Sequence, residues 1–151
     1  MLDRPDKEKD TTLTPLWLIE ALGNFDLDPC AYPNHKTANN LNVWPSDGLS
    51  IDWHGRVWCN PPYSKPKPWL ERMANHNNGV ALVLASTDTE WFHEASKSCS
   101  SILFMKGRPF FIRESDRVNV KLMRATLLIE WGNSNSLEKS GIEGYLVKSK
   151  L

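Results

Sequence analysis

The chain has 151 residues, 40% of them hydrophobic and 24% charged, which fits an ordinary globular protein with one hydrophobic core. Its 18 basic residues balance its 18 acidic ones, so the composition argues against a protein that coats nucleic acid by charge alone. No apolar run approaches the roughly 20 residues that a bilayer-spanning helix needs, so we expect a cytoplasmic protein without a membrane partner.

Residues 1–10 are charged throughout, and we expect them to form a flexible tail ahead of a single domain over residues 11–151. Three widely spaced cysteines, Cys30, Cys59 and Cys99, form no CxxC pair. We therefore expect reduced thiols rather than a zinc site or disulfides, and the four histidines show no metal-ligand spacing. No metal is expected.

The first predicted element is a helix that begins at Thr14-Pro15, with Thr14 as its N-cap and Pro15 at its first position. The next segment, Phe25–Asp28, alternates like a short strand and leads into Pro29. Residues 32–52 are rich in Asn, Pro, Ser and Gly, so we expect mostly loop there.

The second half of the chain alternates between apolar strands and amphipathic helices. Predicted strands cover residues 56–59, 79–85, 101–105 and 125–131, and predicted helices cover residues 67–77 and about 89–96, the latter capped by Asp88 or Thr89. This alternation predicts a compact α/β domain with a mostly parallel sheet, to which the later elements add an antiparallel C-terminal hairpin.

The segment Asn60-Pro61-Pro62-Tyr63 directly follows the strand at residues 56–59. In an open parallel sheet, ligands bind outside the carboxyl ends of the strands, so these four residues stand where a site is expected. Asn-Pro and Pro-Pro are also common loop dipeptides, and an accidental turn is the alternative reading of the tetrapeptide taken alone.

The ordered motifs of the chain resemble those of phage and prophage Dam-like DNA N6-adenine methyltransferases, which carry a D/N/S-P-P-Y/F/W motif. The resemblance runs from Thr14-Pro15 to about Trp131 and rests on the segments Phe25–Ala31, Asp47–Leu49, Val57–Ser64, Trp91-Phe92 and Gly107–Phe110. It implies a Rossmann-like, S-adenosylmethionine-dependent enzyme that acts on double-stranded DNA in the cytoplasm of a bacterial host.

The implied chemistry accounts for the residue types of the motif. The lone pair of adenine N6 is delocalised into the ring, and two acceptors on its hydrogens draw the nitrogen toward a tetrahedral geometry. The side-chain oxygen of Asn60 and the carbonyl of Pro61 are the expected acceptors, with Pro62 adding rigidity and Tyr63 stacking on the flipped-out base. No thiolate is needed, so we read Cys30 and Cys59 as structural.

For the cofactor, the resemblance implies contacts from Thr14, Pro15, Asp28, Pro29, Asp47 and Asn60. Several of these have a structural alternative: Thr14 and Pro15 as the cap of a helix, Asp28 as a capping aspartate in a turn, and Asp47 as part of an Asp-Gly turn. In the cofactor reading, Asp28 lies near the methionine end of the cofactor or orders the loop. One departure from the family pattern is that residues 30–34 contain no glycine, whereas related enzymes follow this strand with a glycine-rich turn. The individual cofactor contacts are therefore open.

For DNA, the expected contacts are Tyr63, Ser64, Lys65, Arg108, Phe110 and Arg113. Residues 104–124 hold six basic and two acidic side chains, with Phe110 and Phe111 among them. The alternative is a solvated hairpin whose aromatic side chains pack inward. The length leaves no room for a separate recognition domain, and among oligomeric states a monomer is favoured.

Two other functions fit the same motif. Asn-Pro-Pro-Tyr also suits a methyltransferase that acts on an RNA base or on the side-chain amide of a protein glutamine, because each target is a planar, conjugated nitrogen. A non-catalytic DNA-binding decoy with the same fold is the third reading, and the missing glycine-rich turn is the feature that favours it.

Overall fold

The structure is a computed structural model that describes residues 11–149, so the expected tail at residues 1–10 lies outside the described part. The described residues form ten strands and four helices. In chain order these are β1 Thr12–Leu13, α1 Leu16–Leu22, β2 Leu27–Ala31, β3 Asn40–Val43, β4 Val57–Cys59, α2 Lys67–His76, β5 Gly79–Leu84, α3 Glu90–Ser98, β6 Ser101–Met105, β7 Phe110–Arg113, β8 Asn119–Lys121, β9 Thr126–Trp131, α4 Ser136–Lys139 and β10 Gly144–Lys148.

Seven strands form a larger sheet in the order β10-β6-β9-β5-β4-β2-β3. The pairs on the β3 side, from β3 to β5, are parallel, whereas β9 pairs antiparallel with both β5 and β6, and β10 pairs antiparallel with β6. The prediction of a mostly parallel sheet is therefore wrong for half of its pairings. The α/β class itself is confirmed.

The connection between β6 and β9 explains the antiparallel half. A parallel return needs a crossover of a dozen or more residues, usually a helix, that carries the chain back to the opposite edge of the sheet. Residues 106–125 instead form the β7–β8 hairpin, so β9 starts near the edge where β6 ended. The continuous apolar run of β9 indicated burial on both faces, which is observed, but it carried no information about direction.

Helices cover both faces of the larger sheet. Alternate side chains of β4 point to opposite sides: Val57 and Cys59 pack with residues of α2 and α3, whereas Trp58 packs with residues of α1 and α4. The strand is wholly buried, as a strand covered on both faces must be. The hydrophobic clusters on the two faces of the sheet thus hold β4, the strand that directly precedes Asn60.

A second, three-stranded sheet has the order β1-β7-β8. The predicted hairpin exists as the antiparallel pair β7–β8, but it is not C-terminal: the last strand, β10, lies on the edge of the larger sheet beside β6. Register pairs Thr12 with Arg113, so β1 ties the hairpin to the start of α1. Phe111 is fully buried, while its neighbour Phe110 is 52% exposed.

Two local predictions near the N-terminus need correction. Pro15 rather than Thr14 occupies the N-cap of α1, and no side chain caps this helix. The predicted loop at residues 32–52 contains β3, whose sequence has little apolar character and which forms because the edge of β2 offers it backbone partners. By contrast, α2 and α3 lie close to their predicted positions, and Thr89 caps α3 by accepting a hydrogen bond from the Phe92 amide.

Glu130 fixes the C-terminal segment to the sheet. Its carboxylate lies in β9, is only 1% exposed, and accepts hydrogen bonds from the Ser134 hydroxyl, from the Ser136 amide and hydroxyl, and from the Leu137 amide. Three of these four donors belong to the first residues of α4, so one buried carboxylate takes the place of a helix cap.

We predict that Glu130→Gln lowers the free energy of unfolding by about 1.5–3 kcal/mol, because hydrogen bonds to a buried charged acceptor are weakened or lost. Urea denaturation at neutral pH measures this. The matched control is Glu138→Gln, which removes an exposed ion pair with Lys148 and should cost less than about 1 kcal/mol. Equal losses in the two variants would contradict the role given to Glu130.

Candidate active site

Asn60 stands at the carboxyl end of β4, where two consecutive prolines end the strand. Proline cannot donate to a ladder hydrogen bond, so the chain has to leave the sheet at this point. Pro61 and Pro62 are both buried, and the amide of Lys65 donates to the Pro62 carbonyl at 3.1 Å. The tetrapeptide thus forms a rigid turn at the carboxyl end of β4, as the sequence predicts.

The side-chain amide of Asn60 has one engaged end and one unused end. Its Nδ2 donates to the Thr14 hydroxyl at 3.3 Å, whereas its Oδ1 is buried and accepts no hydrogen bond from any described residue. A buried acceptor without a donor is costly, so each such atom calls for a physical explanation. This oxygen is therefore available to a ligand that brings its own N–H.

The hydroxyl of Tyr63 is the second unsatisfied polar atom at this edge. It is buried and makes no hydrogen bond of good geometry with a described residue. Burial raises the pKa of Tyr63 to about 12, an effect that the neighbouring Thr12 and Asn60 side chains partly offset. Tyr63 consequently keeps its proton at neutral pH.

A small cavity of about 50 Å³ lies beside the motif. Its lining consists of Pro61, Tyr63, Pro66, Val83, Leu84, Ser86, Trp91 and Arg124. Arg124 donates a hydrogen bond to the Ser86 hydroxyl within this group. The volume suits one or two water molecules, which occupy about 30 Å³ each in the liquid. A nucleobase would fit only after side chains of the lining have moved.

Asp28, at the end of β2, orders the chain around it. The residue is 3% exposed, and its carboxylate accepts hydrogen bonds from the Cys30 amide at 3.0 Å and from the Thr37 hydroxyl. Burial raises the pKa of Asp28 to about 6, with the two hydrogen bonds acting in the opposite direction. Asp28 thus accepts from the amide two residues further on, as a capping aspartate in a turn does, and both carboxylate oxygens already have protein donors.

Asp47 belongs to a turn that packs on the end of β2. Its carboxylate accepts from the Leu49 amide at 2.9 Å and from the Ser50 hydroxyl at 3.0 Å. A Cβ added to Gly48 would lie 1.9 Å from the Pro29 carbonyl oxygen, so only glycine permits this close approach. Asp47 is therefore the residue of an Asp-Gly turn, as its structural alternative predicts, and its carboxylate is partly exposed.

The sequence reasoning missed two residues that brace this edge. His35 is only 6% exposed, and its Nε2 donates to the Thr14 carbonyl at 2.6 Å. Thr37 is buried as the donor to Asp28. A lone histidine and a lone threonine in a polar segment carry no periodicity or spacing that marks them, so only the folded chain identifies them.

The basic segment adjoins this edge through β1, which pairs with β7 of the hairpin and whose last residue, Leu13, directly precedes Thr14. Arg108 donates to the carbonyls of Leu122 and Met123 at 3.0 and 2.8 Å, and Arg113 pairs with Asp116. Among the described residues, three further cations of the segment have no carboxylate partner: Arg117, Lys121 and Arg124. Phe111 packs inward, as expected for a solvated hairpin, whereas Phe110 is exposed, as expected for a DNA contact.

The outward aromatic is itself covered by a cation. The Lys121 ammonium lies 5.0 Å from the centre of the Phe110 ring, within the range of a cation–π contact. Ser64 and Lys65, which follow the motif, are exposed. The structure thus brings the motif, the end of β2 and the hairpin to one region, although Arg108 partly serves to hold its own loop.

A comparison with family models identifies the chain. Residues 3–133 match the family described as DNA N-6-adenine-methyltransferase (Dam). The chain belongs to this Dam family. Two relatives carry the name DNA N-6-adenine-methyltransferase, one from Haemophilus phage HP1 (strain HP1c1) and one from Escherichia phage T1.

The two phage relatives differ in how much of them the chain covers. The HP1 protein is 32% identical over 121 residues, which is 72% of this chain and 70% of the relative. The T1 protein is 33% identical over 113 residues, which is 68% of this chain but 47% of the relative, so this Dam-family chain spans about half of that protein.

The part of the chain that the structure describes contains neither a metal-binding cluster nor a helix suited to cross a membrane. Between residues 11 and 149, no group of three or more His, Cys, Asp and Glu side chains is arranged to hold a metal ion. Over the same range, no helix combines the length and apolar character that a membrane crossing requires.

The raised pKa of Asp28 predicts how stability depends on pH. Below its unfolded-state pKa of 3.8 the carboxyl of Asp28 is neutral in both the folded and the unfolded state. From there to about pH 6 the unfolded chain releases a proton that the folded protein keeps, so the stability of the folded state falls. At 1.36 kcal/mol per pKa unit, the full cost above pH 6 is about 3 kcal/mol. Asp28→Asn should therefore remove a loss of stability that the wild type shows between pH 4 and 7.

Urea denaturation of the two proteins across this pH range gives the free energy of unfolding as a function of pH. The effect of Asp28 is a difference in the slope of these two curves. The hydrogen bonds that the amide changes shift the whole curve equally at every pH and leave its slope unchanged. The control is Asp52→Asn, an exposed aspartate. Its stability curve should run parallel to that of the wild type. Parallel curves for Asp28→Asn as well would show that Asp28 is charged in the folded protein at pH 4.

Proposed function

We propose that the chain is an S-adenosylmethionine-dependent methyltransferase that transfers a methyl group to the N6 amine of a flipped-out adenine in double-stranded DNA, with specific or relaxed site preference. The observation that carries this proposal is the buried, unpartnered Oδ1 of Asn60 in an Asn-Pro-Pro-Tyr turn at the end of a strand. Membership of the Dam family supports the substrate.

Residues 11–151 act as one catalytic domain with a Rossmann-like sheet. Support comes from the strand directions: the parallel run β3-β2-β4-β5 and the more distant β6 all point the same way, and helices cover both faces. Asp28-Pro29 and Asn60 then share the carboxyl edge of neighbouring strands, where ligands of such sheets bind.

Asn60 and Pro61 activate the amine. The Oδ1 of Asn60 accepts one hydrogen of adenine N6 and the carbonyl of Pro61 accepts the other, which draws the nitrogen lone pair out of conjugation with the ring. Both acceptors are fixed before the substrate arrives, because Asn60 ends a clamped strand and Pro62 restricts the backbone of the turn. Positioning of this kind supplies much of the acceleration of a direct displacement.

Tyr63 provides the surface on which the extruded base stacks, a contact that is typically worth about 1–3 kcal/mol. The cavity that it shares with Pro61 and Trp91 is the place for the base, once the Arg124–Ser86 contact opens to admit it. Extrusion from the duplex is required because an amine inside the base stack is out of reach.

S-adenosylmethionine supplies the electrophilic sulfonium methyl group. The residues that would hold it are Thr14, Pro15, Asp28, Pro29, Asp47 and Asn60. Asp47 fits this role best, because it is partly exposed, and each carboxylate oxygen has a protein donor yet keeps a lone pair for a ligand amine or hydroxyl. Asp28 is almost fully buried, and both of its carboxylate oxygens accept hydrogen bonds from the protein, so its contribution is to fix the backbone at the end of β2.

DNA lies along the region of the motif and the hairpin, with contacts from Tyr63, Ser64, Lys65, Arg108, Phe110 and Arg113. Support comes from Arg117, Lys121 and Arg124, which pair with no carboxylate of the described residues, and from the exposed ring of Phe110. Cations meet phosphates without reading sequence, so site preference falls to the loops. The enzyme works as a monomer in the cytoplasm of the bacterial host.

The decisive experiment is transfer of labelled methyl groups from S-adenosylmethionine to unmethylated duplex DNA, with nucleoside analysis of the product. We expect N6-methyldeoxyadenosine. Asn60→Ala should abolish transfer and leave cofactor affinity within a few fold, whereas Asn60→Asp should keep measurable activity, because it retains an acceptor. Asn75→Ala, an exposed substitution on α2, is the matched control and should behave as the wild type.

The other outcomes identify the alternatives. Full activity of Asn60→Ala would remove this residue from the chemistry. Label in RNA or protein rather than in DNA would point to another amino-methyltransferase, and absence of both transfer and cofactor binding would point to a decoy.

The DNA surface makes a separate prediction. Arg117→Gln removes one unpaired cation at the tip of the hairpin, so the slope of log K against log salt should fall in magnitude by about one. Lys97→Gln makes the same change in net charge on α3, where Lys97 pairs with Glu94, and should leave the slope unchanged. Fluorescence titrations of a labelled duplex at several salt concentrations measure both, and identical slopes would argue against DNA at the hairpin.

A further inference from the structure

We propose that Thr14 and His35 are positioning residues for the amide of Asn60: the Thr14 hydroxyl fixes the plane of the amide, and His35 fixes Thr14. This inference rests on the proposed function and gives Thr14 a task beyond the cofactor contact that the family resemblance implies. The geometry consists of two hydrogen bonds that meet at Thr14, one to its side chain and one to its main chain.

The amide of Asn60 needs such support because the terminal torsion of an asparagine is broad and only weakly restrained by its own chemistry. Its Nδ2 donates to the Thr14 hydroxyl at 3.3 Å, and the Tyr63 hydroxyl lies beside the same amide without a hydrogen bond of good geometry. A hydroxyl both donates and accepts, so the same contact suits either an amide or a carboxylate at position 60. The contact thereby fixes where the acceptor oxygen points.

Thr14 has no competing structural task for its hydroxyl. The sequence predicted it as the N-cap of α1, but Pro15 occupies that position and no side chain caps the helix. Thr14 is nevertheless 3% exposed, so its hydroxyl is placed inside the protein. A buried polar group normally has a partner, and the described partner here is the catalytic amide.

His35 holds the backbone that carries this hydroxyl. Its Nε2–H donates to the Thr14 carbonyl at 2.6 Å, across a sequence separation of 21 residues. Burial lowers the pKa of His35, as does the nearby Arg117, while the bond to Thr14 acts the other way. The imidazole is therefore mainly neutral at pH 7.5, and the bond to the carbonyl requires the tautomer that carries its proton on Nε2.

The test compares substitutions that remove each hydrogen bond with substitutions that keep it. Thr14→Val preserves shape and removes the hydroxyl, and we expect kcat to fall about ten- to a hundredfold with the KM for S-adenosylmethionine within about threefold, since misplacement of a reacting group by about 1 Å has such effects. Thr14→Ser keeps the hydroxyl and should retain kcat within about threefold.

His35 is tested in the same way. His35→Leu should lower kcat in the same direction as Thr14→Val, and His35→Gln, whose amide nitrogen can replace Nε2–H, should recover most of the loss. In the double variant Thr14→Val/His35→Leu the two effects should not add, because His35 acts through a hydroxyl that is then absent. A purely structural role would instead give additive losses and no selective recovery.

A second measurement does not depend on activity. In ¹⁵N-labelled protein, the side-chain NH₂ signals of Asn60, assigned by their loss in Asn60→Ala, should exchange with solvent at least severalfold faster in Thr14→Val than in the wild type or Thr14→Ser. If the wild type transfers no methyl group to DNA while these signals behave as expected, the proposed function fails and the positioning contact stands.

Two results would overturn the inference. One is an unchanged kcat and unchanged Asn60 signals in Thr14→Val. The other is a raised KM for S-adenosylmethionine at full kcat in Thr14→Val, which would leave Thr14 with a cofactor contact alone.

Discussion

The proposed site depends on one contact between distant parts of the chain, the hydrogen bond from the Asn60 amide to the Thr14 hydroxyl. Asn60 follows a strand that is packed between two layers of helices, and Thr14 is held by β1 on one side and by His35 on the other. Because β1 also pairs with the hairpin, the same short segment links the motif to the basic segment. The proposed chemistry relies on placed acceptors rather than on a reactive nucleophile, and it would need this kind of rigidity.

Close packing at the end of β2 has a related physical basis. Residues 30–34, directly after Pro29, contain no glycine. Gly48, from another loop, packs on the Pro29 carbonyl, and a Cβ at this position would lie 1.9 Å from the carbonyl oxygen. The buried carboxylate of Asp28 joins Cys30 and Thr37 at the same strand end. A glycine distant in sequence thereby allows two loops to pack closely at this strand end.

Between residues 11 and 149, the two buried carboxylates show how surroundings decide the use of one chemical group. Glu130 receives four donors and anchors α4 to the sheet, far along the chain from the motif. Asp28 receives two donors, and desolvation outweighs them, so its pKa rises. Glu130 thus fixes the start of α4, and Asp28 fixes the backbone at the end of β2.

The sequence by itself determined the α/β class, the positions of α2, α3 and the central strands, and the location of Asn60-Pro61-Pro62-Tyr63 at a strand end. These follow from local causes: apolar periodicity, capping residues and the inability of proline to continue a ladder. Only the tertiary structure decided the direction of β9, the pairing of β1 with the hairpin, and the tasks of Thr14, His35 and Gly48. Those depend on contacts between segments far apart in the chain, and such contacts leave no periodic trace in the sequence.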